Sequence, residues 1–270
     1  MSETLSRLDR ARILAGLSDA GRAALSRLEV IPVLDSTNSY LSAGANAGWP
    51  GGAVCLTEQQ TAGRGRQGRQ WLTPFGASLA FSLLWRFNRP PEALSGLSLV
   101  TGIAVARALQ NQQVQGIGLK WPNDLRWRGR KLGGILLESG GVGERFHVVA
   151  GVGLNVALPP KAGEQIDQPW VDLREITGNS ELDRSQWAAG MIDELIRTFI
   201  RFEAEGFGGF VEDWNGFDQV RDRRVRLLLP NGAASGLARG VDETGALLLE
   251  AADGRITPYL GGEISLRLES

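Results

Sequence analysis

The sequence predicts an α+β protein: a larger mixed domain over residues 1–220, followed by a small all-β barrel over residues 221–270. Three observations predict it. Trp187, Met191, Leu195, Phe199 and Phe202 recur at near-helical spacing, the signature of an amphipathic helix. Ser78-Leu79-Ala80-Phe81-Ser82-Leu83 alternates at strand period. Beyond Phe217 the chain breaks into short apolar runs separated by turn signals, the texture of a small β domain.

Taken in order, Leu8 to Ala24 reads as one or two short helices leading into a strand, Leu28 to Leu34. Asp35-Ser36 offers an N-cap for a helix from Thr37. A strand from Ala53 to Glu58 enters the polar segment Thr61 to Gln70, and the alternating strand follows. Pro90-Pro91 punctuates the chain before a helix from Glu92 to Gln110. Gly118 to Trp121, Leu125 to Trp127, Lys131 to Ser139 and Arg145 to Leu154 then read as strands around turns at Pro122-Asn123-Asp124 and Gly140-Gly141. The polar stretch Pro159 to Pro169 is long enough to suggest a mobile functional loop. Asp183, with Gln186 three residues on, marks the start of the helix Arg184 to Glu205. The last strands are expected at Arg224 to Leu229, Gly236 to Val241, Ala246 to Glu250, Ile256 to Tyr259 and Ile264 to Leu268. A barrel of about 50 residues is near the lower limit for folding alone, so it is expected to lean on the larger domain.

Composition narrows the chemistry. With 29 Lys+Arg against 30 Asp+Glu, the net charge of -1 provides no global field for nucleic acid or an anionic membrane. Cys55 is the only cysteine and sits in the apolar run Ala53-Val54-Cys55-Leu56, where a buried residue rather than a nucleophile is expected. His147, the only histidine, has neither a cysteine cluster nor a nucleophile elbow to build a zinc site or a triad around it. Met1 to Arg12 is charged, without a signal-peptide core, and no uninterrupted apolar run is long enough to span a bilayer. A soluble, cytoplasmic protein is expected.

Two segments concentrate polar chemistry. In Gly63-Arg64-Gly65-Arg66-Gln67-Gly68-Arg69 the glycines let the backbone approach an anion while guanidiniums supply directed donors. The loop lacks the lysine and Ser/Thr of a phosphate-binding P-loop and the spacing of a dinucleotide fingerprint. Alone, it reads as a phosphate cradle, a solvated turn or a nucleic-acid contact. Lys120-Trp121-Pro122-Asn123-Asp124 places a cation and an acid on either side of a rigid turn, and Arg130-Lys131-Leu132-Gly133-Gly134 follows closely. Lysines at strand ends also commonly reach solvent along their stems.

Together with Asp35-Ser36-Thr37-Asn38, Glu58-Gln59-Gln60-Thr61-Ala62, Gly151-Val152-Gly153-Leu154-Asn155-Val156 and the C-terminal Arg239-Gly240-Val241-Asp242 and Gly261-Gly262-Glu263-Ile264-Ser265-Leu266, these segments resemble biotin-protein ligases in order and spacing. The resemblance spans about Leu8 to Arg267. It implies a mixed-sheet catalytic domain and an SH3-like barrel. The implied chemistry is activation of biotin by Mg-ATP to biotinyl-5'-AMP, then transfer to a lysine of biotin carboxyl carrier protein of acetyl-CoA carboxylase and other biotin-dependent enzymes. By the same resemblance, Ser36, Thr37, Asn38, Gln60, Gly63, Arg64, Arg66, Trp71, Lys131, Gly134, Leu136, Gly151 and Gly153 fall at biotin positions. Arg64, Arg66, Lys120, Asn123, Asn155, Trp170 and Arg239 fall at ATP or adenylate positions. Lys131, Arg66, Asp124 and Lys120 are the implied catalytic set, and Asp124 would bind Mg or orient the acceptor amine. Trp170 would cover the adenine, making Pro159 to Trp170 a segment that orders over the nucleotide. The implied assembly is a monomer or weak homodimer.

Two rival readings stand beside this one. Some relatives carry a winged helix-turn-helix domain and repress biotin genes; the residues before Asp35 are too few for it, so DNA is not an expected partner. A lipoate-protein ligase would share the fold and the acyl-adenylate route, but the Gly-Arg-Gly-Arg loop and the Lys-Trp-Pro-Asn-Asp series favour biotin. Gln67 stands where some relatives carry a further basic residue.

Overall fold

A computed structural model describes residues 6–143, 146–166 and 168–269. The start of the charged N-terminal segment, the first residue of the strand expected from Arg145, and Asp167 within the polar loop lie outside the described residues. The mixed domain comprises α1 (Arg10–Ala15), α2 (Asp19–Ala24), β1 (Arg27–Leu34), α3 (Thr37–Asn46), β2 (Ala53–Gln60), β3 (Ser78–Trp85) and α4 (Leu97–Asn111). It continues with β4 (Ile117–Lys120), β5 (Asp124–Trp127), β6 (Arg130–Gly140), β7 (His147–Asn155), α5 (Pro160–Gly163), α6 (Leu173–Thr177), α7 (Arg184–Glu205) and α8 (Val211–Phe217). The C-terminal strands are β8 (Arg224–Leu229), β9 (Gly232–Val241), β10 (Leu247–Glu250), β11 (Ile256–Tyr259) and β12 (Ser265–Leu268).

Seven strands form one sheet in the order β1-β2-β3-β7-β6-β5-β4. Only β1 and β2 run parallel; α3 lies between them as the crossover, the long connection that parallel neighbours require. Strand alternation divides the sheet into two faces. Val54 and Leu56 of β2, Phe81 and Leu83 of β3, and Val148, Ala150 and Val152 of β7 enter the main core, which α4 and α7 cover. Ala53, Cys55, Leu84 and Val149 face the other way and pack beneath Leu41 and Ala45 of α3. The remainder of that second face carries the candidate site. The C-terminal strands form an antiparallel sheet, β11-β10-β9-β8-β12, of the SH3-like type expected. As expected too, it leans on the larger domain: the Trp121 indole N–H donates to the Gly245 carbonyl at 3.2 Å, and Ser95 Oγ to that of Thr244 at 2.7 Å.

One helix departs from expectation. Instead of running unbroken from Glu92, the chain makes a single 3-10 turn, Pro91–Leu94, and α4 starts at Leu97. Gly96 adopts φ +80°, and a β-carbon there would stand 2.5 Å from the Phe207 ring. A left-handed residue breaks the helical hydrogen-bond ladder, and Phe207 fills the space. Pro91–Asn111 is long and apolar enough, by length and composition, to cross a membrane. Here most of α4 is buried in the core, which accounts for its apolarity.

A buried charge pair ties the N-terminal segment to the domain. Arg184, at the start of α7, contacts Glu58 at 2.6 Å with both side chains almost wholly buried. Its guanidinium donates to the Ser6 carbonyl at 2.8 Å, and Glu58 accepts from the Leu8 N–H at 2.6 Å. Removing one partner of such a pair strands the other charge. Glu58→Ala is expected to lower unfolding stability by about 3–5 kcal/mol, read from urea denaturation; a change below about 1 kcal/mol would show that the pair contributes little.

Candidate active site

The helix cap expected at Asp35-Ser36 organises one end of the site. Ser36 is the N-cap of α3, and Ser36, Thr37 and Asn38 are all buried at the edge of a cleft. The Thr37 N–H donates to Gln60 Oε1 at 2.9 Å, and Ser82 Oγ lies 2.6 Å from both Thr37 Oγ1 and Asn38 Oδ1. This end is therefore a set of small hydroxyl and amide groups fixed by one another.

The sheet register builds the floor. Ala80, Gly153, Gly134, Asp124 and Lys120 are successive partners across β3, β7, β6, β5 and β4. In the neighbouring row Ser82 pairs with Gly151 and Gly151 with Leu136. One row thus supplies a flat glycine floor that ends in an acid and an ammonium. The Trp71 indole lies on this floor: a β-carbon on Gly153 would stand 2.4 Å from its ring. Its Nε1 is buried and has no hydrogen-bond partner among the described residues.

A bulge brings Lys131 to the same face. Leu125 pairs with Gly133 and Arg126 with Lys131, so β6 carries Leu132 as an extra residue. An extra residue reverses the alternation that follows. Leu132 consequently enters the core while Lys131 reaches Asp124, Nζ to Oδ1 at 2.7 Å. Lys120 Nζ stands 3.8 Å from Asp124 Oδ2. Burial would push the Asp124 carboxyl up, but Lys131 and then Lys120 hold it below its ordinary range, so it stays ionised. Burial is also the main influence on Lys120, lowering its ammonium to about 8 despite Asp124.

The Gly/Arg loop closes over this cluster and is held by the C-terminal domain. Arg66 donates to Asn123 Oδ1 at 3.2 Å and to the carbonyls of Gly261, Gly262 and Ile264. Gln67, at φ +57°, donates to the Glu263 carbonyl and accepts from Ser265 Oγ at 2.9 Å. Arg64 turns instead toward Ser39 and Glu138, at 2.8 Å each. On the far side, the Lys131 N–H donates to the Pro169 carbonyl at 2.8 Å, and the Val171 N–H to that of Lys131 at 2.9 Å. These bonds straddle Trp170, which is half-buried at the cleft rather than in the core and packs over Gly163. The polar loop contains the short helix α5.

One cavity is lined by Ser36, Thr37, Asn38, Gln60, Arg64, Arg66, Trp71, Lys120, Asn123, Asp124, Lys131, Gly134, Leu136, Gly151, Gly153, Asn155 and Trp170. Two expected residues lie elsewhere. Gly63 is not part of the lining; it sits behind the loop, where a β-carbon would be 2.4 Å from the Trp71 carbonyl. Arg239 points away into ion pairs with Asp222, at 2.6 Å, and Glu250. Those two acids occupy its charge. The C-terminal cation that does line the cavity is Arg267, on β12. Arg267 was hidden in the sequence because a charged residue on an edge strand reads as ordinary surface. In the sequence Ser82 and Glu138 read only as strand positions; their partners, Thr37 and Asn38 on α3 and Arg64 on the loop, are distant in sequence.

Neither the buried Cys55 thiol nor His147 lines the cleft. Burial, with Glu29 assisting, pushes that thiol up to about 12, so it has no nucleophilic thiolate at neutral pH. Among the described residues, no group of three or more His, Cys, Asp or Glu is placed to hold a metal. Both Asp124 oxygens face ammonium groups, which leaves them poorly disposed as magnesium ligands. The cleft instead combines six cationic side chains, Arg64, Arg66, Arg69, Lys120, Lys131 and Arg267, with Asp124 as the one carboxylate among its described lining residues. Such a surface favours a polyanion.

Comparison with known proteins accords with this architecture. The Biotin/lipoate A/B protein ligase family matches residues 30–155, and the Biotin protein ligase C terminal domain matches residues 222–267. The chain is 42% identical over 268 residues to the bifunctional ligase/repressor BirA of Escherichia coli, covering 99% of this chain and 80% of that protein. It is 35% identical to the biotin--[acetyl-CoA-carboxylase] ligase of Mycobacterium tuberculosis, covering 89% of this chain and 90% of that one. The solved structure of the Aquifex aeolicus biotin protein ligase in complex with biotin and ATP superimposes with a TM-score of 0.77 at 29% identity, over 91% of this chain and all of that chain. Matched along nearly its whole length, with both family domains in order, the chain belongs to the biotin protein ligase family.

Proposed function

We propose that this protein activates biotin with ATP to biotinyl-5'-AMP and transfers the biotinyl group to a lysine of a biotin carboxyl carrier domain. The observation that carries the reading is the Lys120–Asp124–Lys131 cluster at the end of the glycine floor, between a polar amide end and the Arg66 loop. Biotin would lie along the floor in place of the Trp71 indole, with its ureido ring toward Thr37, Asn38 and Gln60 and its carboxylate toward Lys131. In the first step the carboxylate oxygen attacks the α-phosphorus and pyrophosphate leaves; Lys131, Lys120 and Arg267 stabilise the charge that gathers there. Magnesium belongs to the nucleotide substrate and would arrive on its phosphates. In the second step the acceptor amine attacks the biotinyl carbonyl carbon, AMP leaves, and the ionised Asp124 can take up the proton. Trp170 and the loop keep water from the mixed anhydride.

The test is acid-dependent pyrophosphate release with ATP, magnesium and either biotin or lipoate. Release with biotin and none with lipoate is expected, and the reverse would reject the reading. The titration of Lys120 adds a pH prediction. Because the useful form is the ammonium, it is present below pH about 8 and lost above it. The kcat/KM for ATP, which reports the free enzyme, should fall through an alkaline limb near pH 8. Lys120→Arg keeps its charge and should move that limb upward; an unmoved limb would assign it to another group.

A further inference from the structure

Glu138 lies outside the cavity lining, yet it holds two of the residues that shape the cavity. One oxygen accepts from Asn38 Nδ2 at 2.8 Å, and both oxygens accept from Arg64, at 2.8 and 2.9 Å. The second Asn38 amide proton reaches the Leu136 carbonyl at 3.2 Å. Both partners of Nδ2 are pure acceptors. Turning the Asn38 amide over would set its oxygen against a carboxylate and a carbonyl, so Glu138 fixes which way it points.

The consequence appears on the cavity side. Asn38 Oδ1 faces the bare α-carbon of Gly151, where a β-carbon would stand only 2.3 Å away. Ser82 lies 2.6 Å from both Asn38 Oδ1 and Thr37 Oγ1 but has one hydroxyl proton. Thr37 Oγ1 carries its own proton, which it can give to Ser82 Oγ or to Gln60 Oε1, so Ser82 fills at most one of the two lone pairs of Asn38 Oδ1. This end of the pocket therefore keeps acceptor capacity for a donor on the ligand, and it keeps it because an anion anchors the amide from behind.

We propose that Glu138 is a specificity-setting positioning residue: by orienting Asn38 it makes this polar end of the pocket a reader of ring N–H groups on the acid substrate. The inference rests on the biotin reading and adds the residue that enforces it. Arg64 occupies the other side of the same carboxylate, so the loop and the reading end share one anchor.

The test measures binding of three ligands by calorimetry: biotin; desthiobiotin, which keeps the ureido N–H groups but lacks the thioether ring; and a biotin methylated on a ureido nitrogen. In Glu138→Ala, affinity for biotin and desthiobiotin should fall together by about tenfold or more, and the methylated analogue should lose less than about threefold, because its missing donor and the misoriented Asn38 are one interaction removed twice. ATP affinity should hold, and KM for biotin should rise more than kcat falls. Glu138→Gln, whose amide oxygen can still accept from Asn38, should recover most of the loss. Arg64→Ala removes the ion pair and spares the amide, so it should not reproduce the ligand pattern. An equal loss on all three ligands, or the same pattern from Arg64→Ala, would overturn the proposal. A parent protein that binds lipoate and not biotin would overturn the functional reading itself, and the inference with it.

Discussion

Replacing Lys131 with alanine is expected to slow adenylate formation about a hundredfold to a thousandfold, the scale for losing a preorganised charge at a reacting centre. The bulge at Leu132 carries Lys131 onto the floor row, 2.7 Å from Asp124, so its ammonium is placed before substrate arrives. The variant should remain folded, because the strand is held by backbone pairing on both sides and Leu132 supplies the core contact. Single-turnover pyrophosphate release checks the rate, and a thermal melt within a few degrees of the parent checks the fold. Asp124 would retain Lys120 but lose its nearer cation, so its carboxyl should rise toward its ordinary range. A rate within about twofold of the parent would remove Lys131 from the chemistry.

The second large effect concerns Arg66. Arg66→Gly removes the contacts to Asn123 and to three carbonyl oxygens of the C-terminal domain, leaving Gln67 as the described side chain of the loop bound there. The adenylate is expected to dissociate about a hundredfold faster, on the scale of a few charge-assisted hydrogen bonds lost. Biotin should then appear on lysines of a bystander protein mixed with the enzyme. Mass spectrometry of that bystander is the measurement. Labelling confined to the carrier lysine would show that the loop does not retain the intermediate.

Much of this architecture was legible in the sequence. Ser36 capped the helix it was read to cap, and α7 spans Arg184 to Glu205 as its spacing required. Local signals of this kind act within one turn or one strand. The helix expected from Glu92 failed because the reason for its break is remote: Phe207 occupies the space that a side chain at position 96 would need. The site shows the same division. The motifs located Lys120, Asp124 and Lys131, but the register that places Gly134 and Gly153 beside them is a cross-strand property. The resemblance implies an ATP position for Arg239, but its pairing with Asp222 and Glu250 excludes it from the cleft. Glu138 stood in plain view within β6; its importance lies in reaching two elements distant in sequence.

The bonds from Arg66 and Gln67 to the turn before β12 and to Ser265 at its start also let the small domain be treated as an intramolecular ligand of the loop. Tethered by the chain, it offers its carbonyls at the millimolar effective concentrations that a short covalent connection provides. Linkage is reciprocal: whatever orders the loop tightens the docking of the C-terminal sheet, and whatever grips that sheet steadies the loop. A carrier protein touching the C-terminal domain would thereby act on the retention of biotinyl-AMP without contacting it.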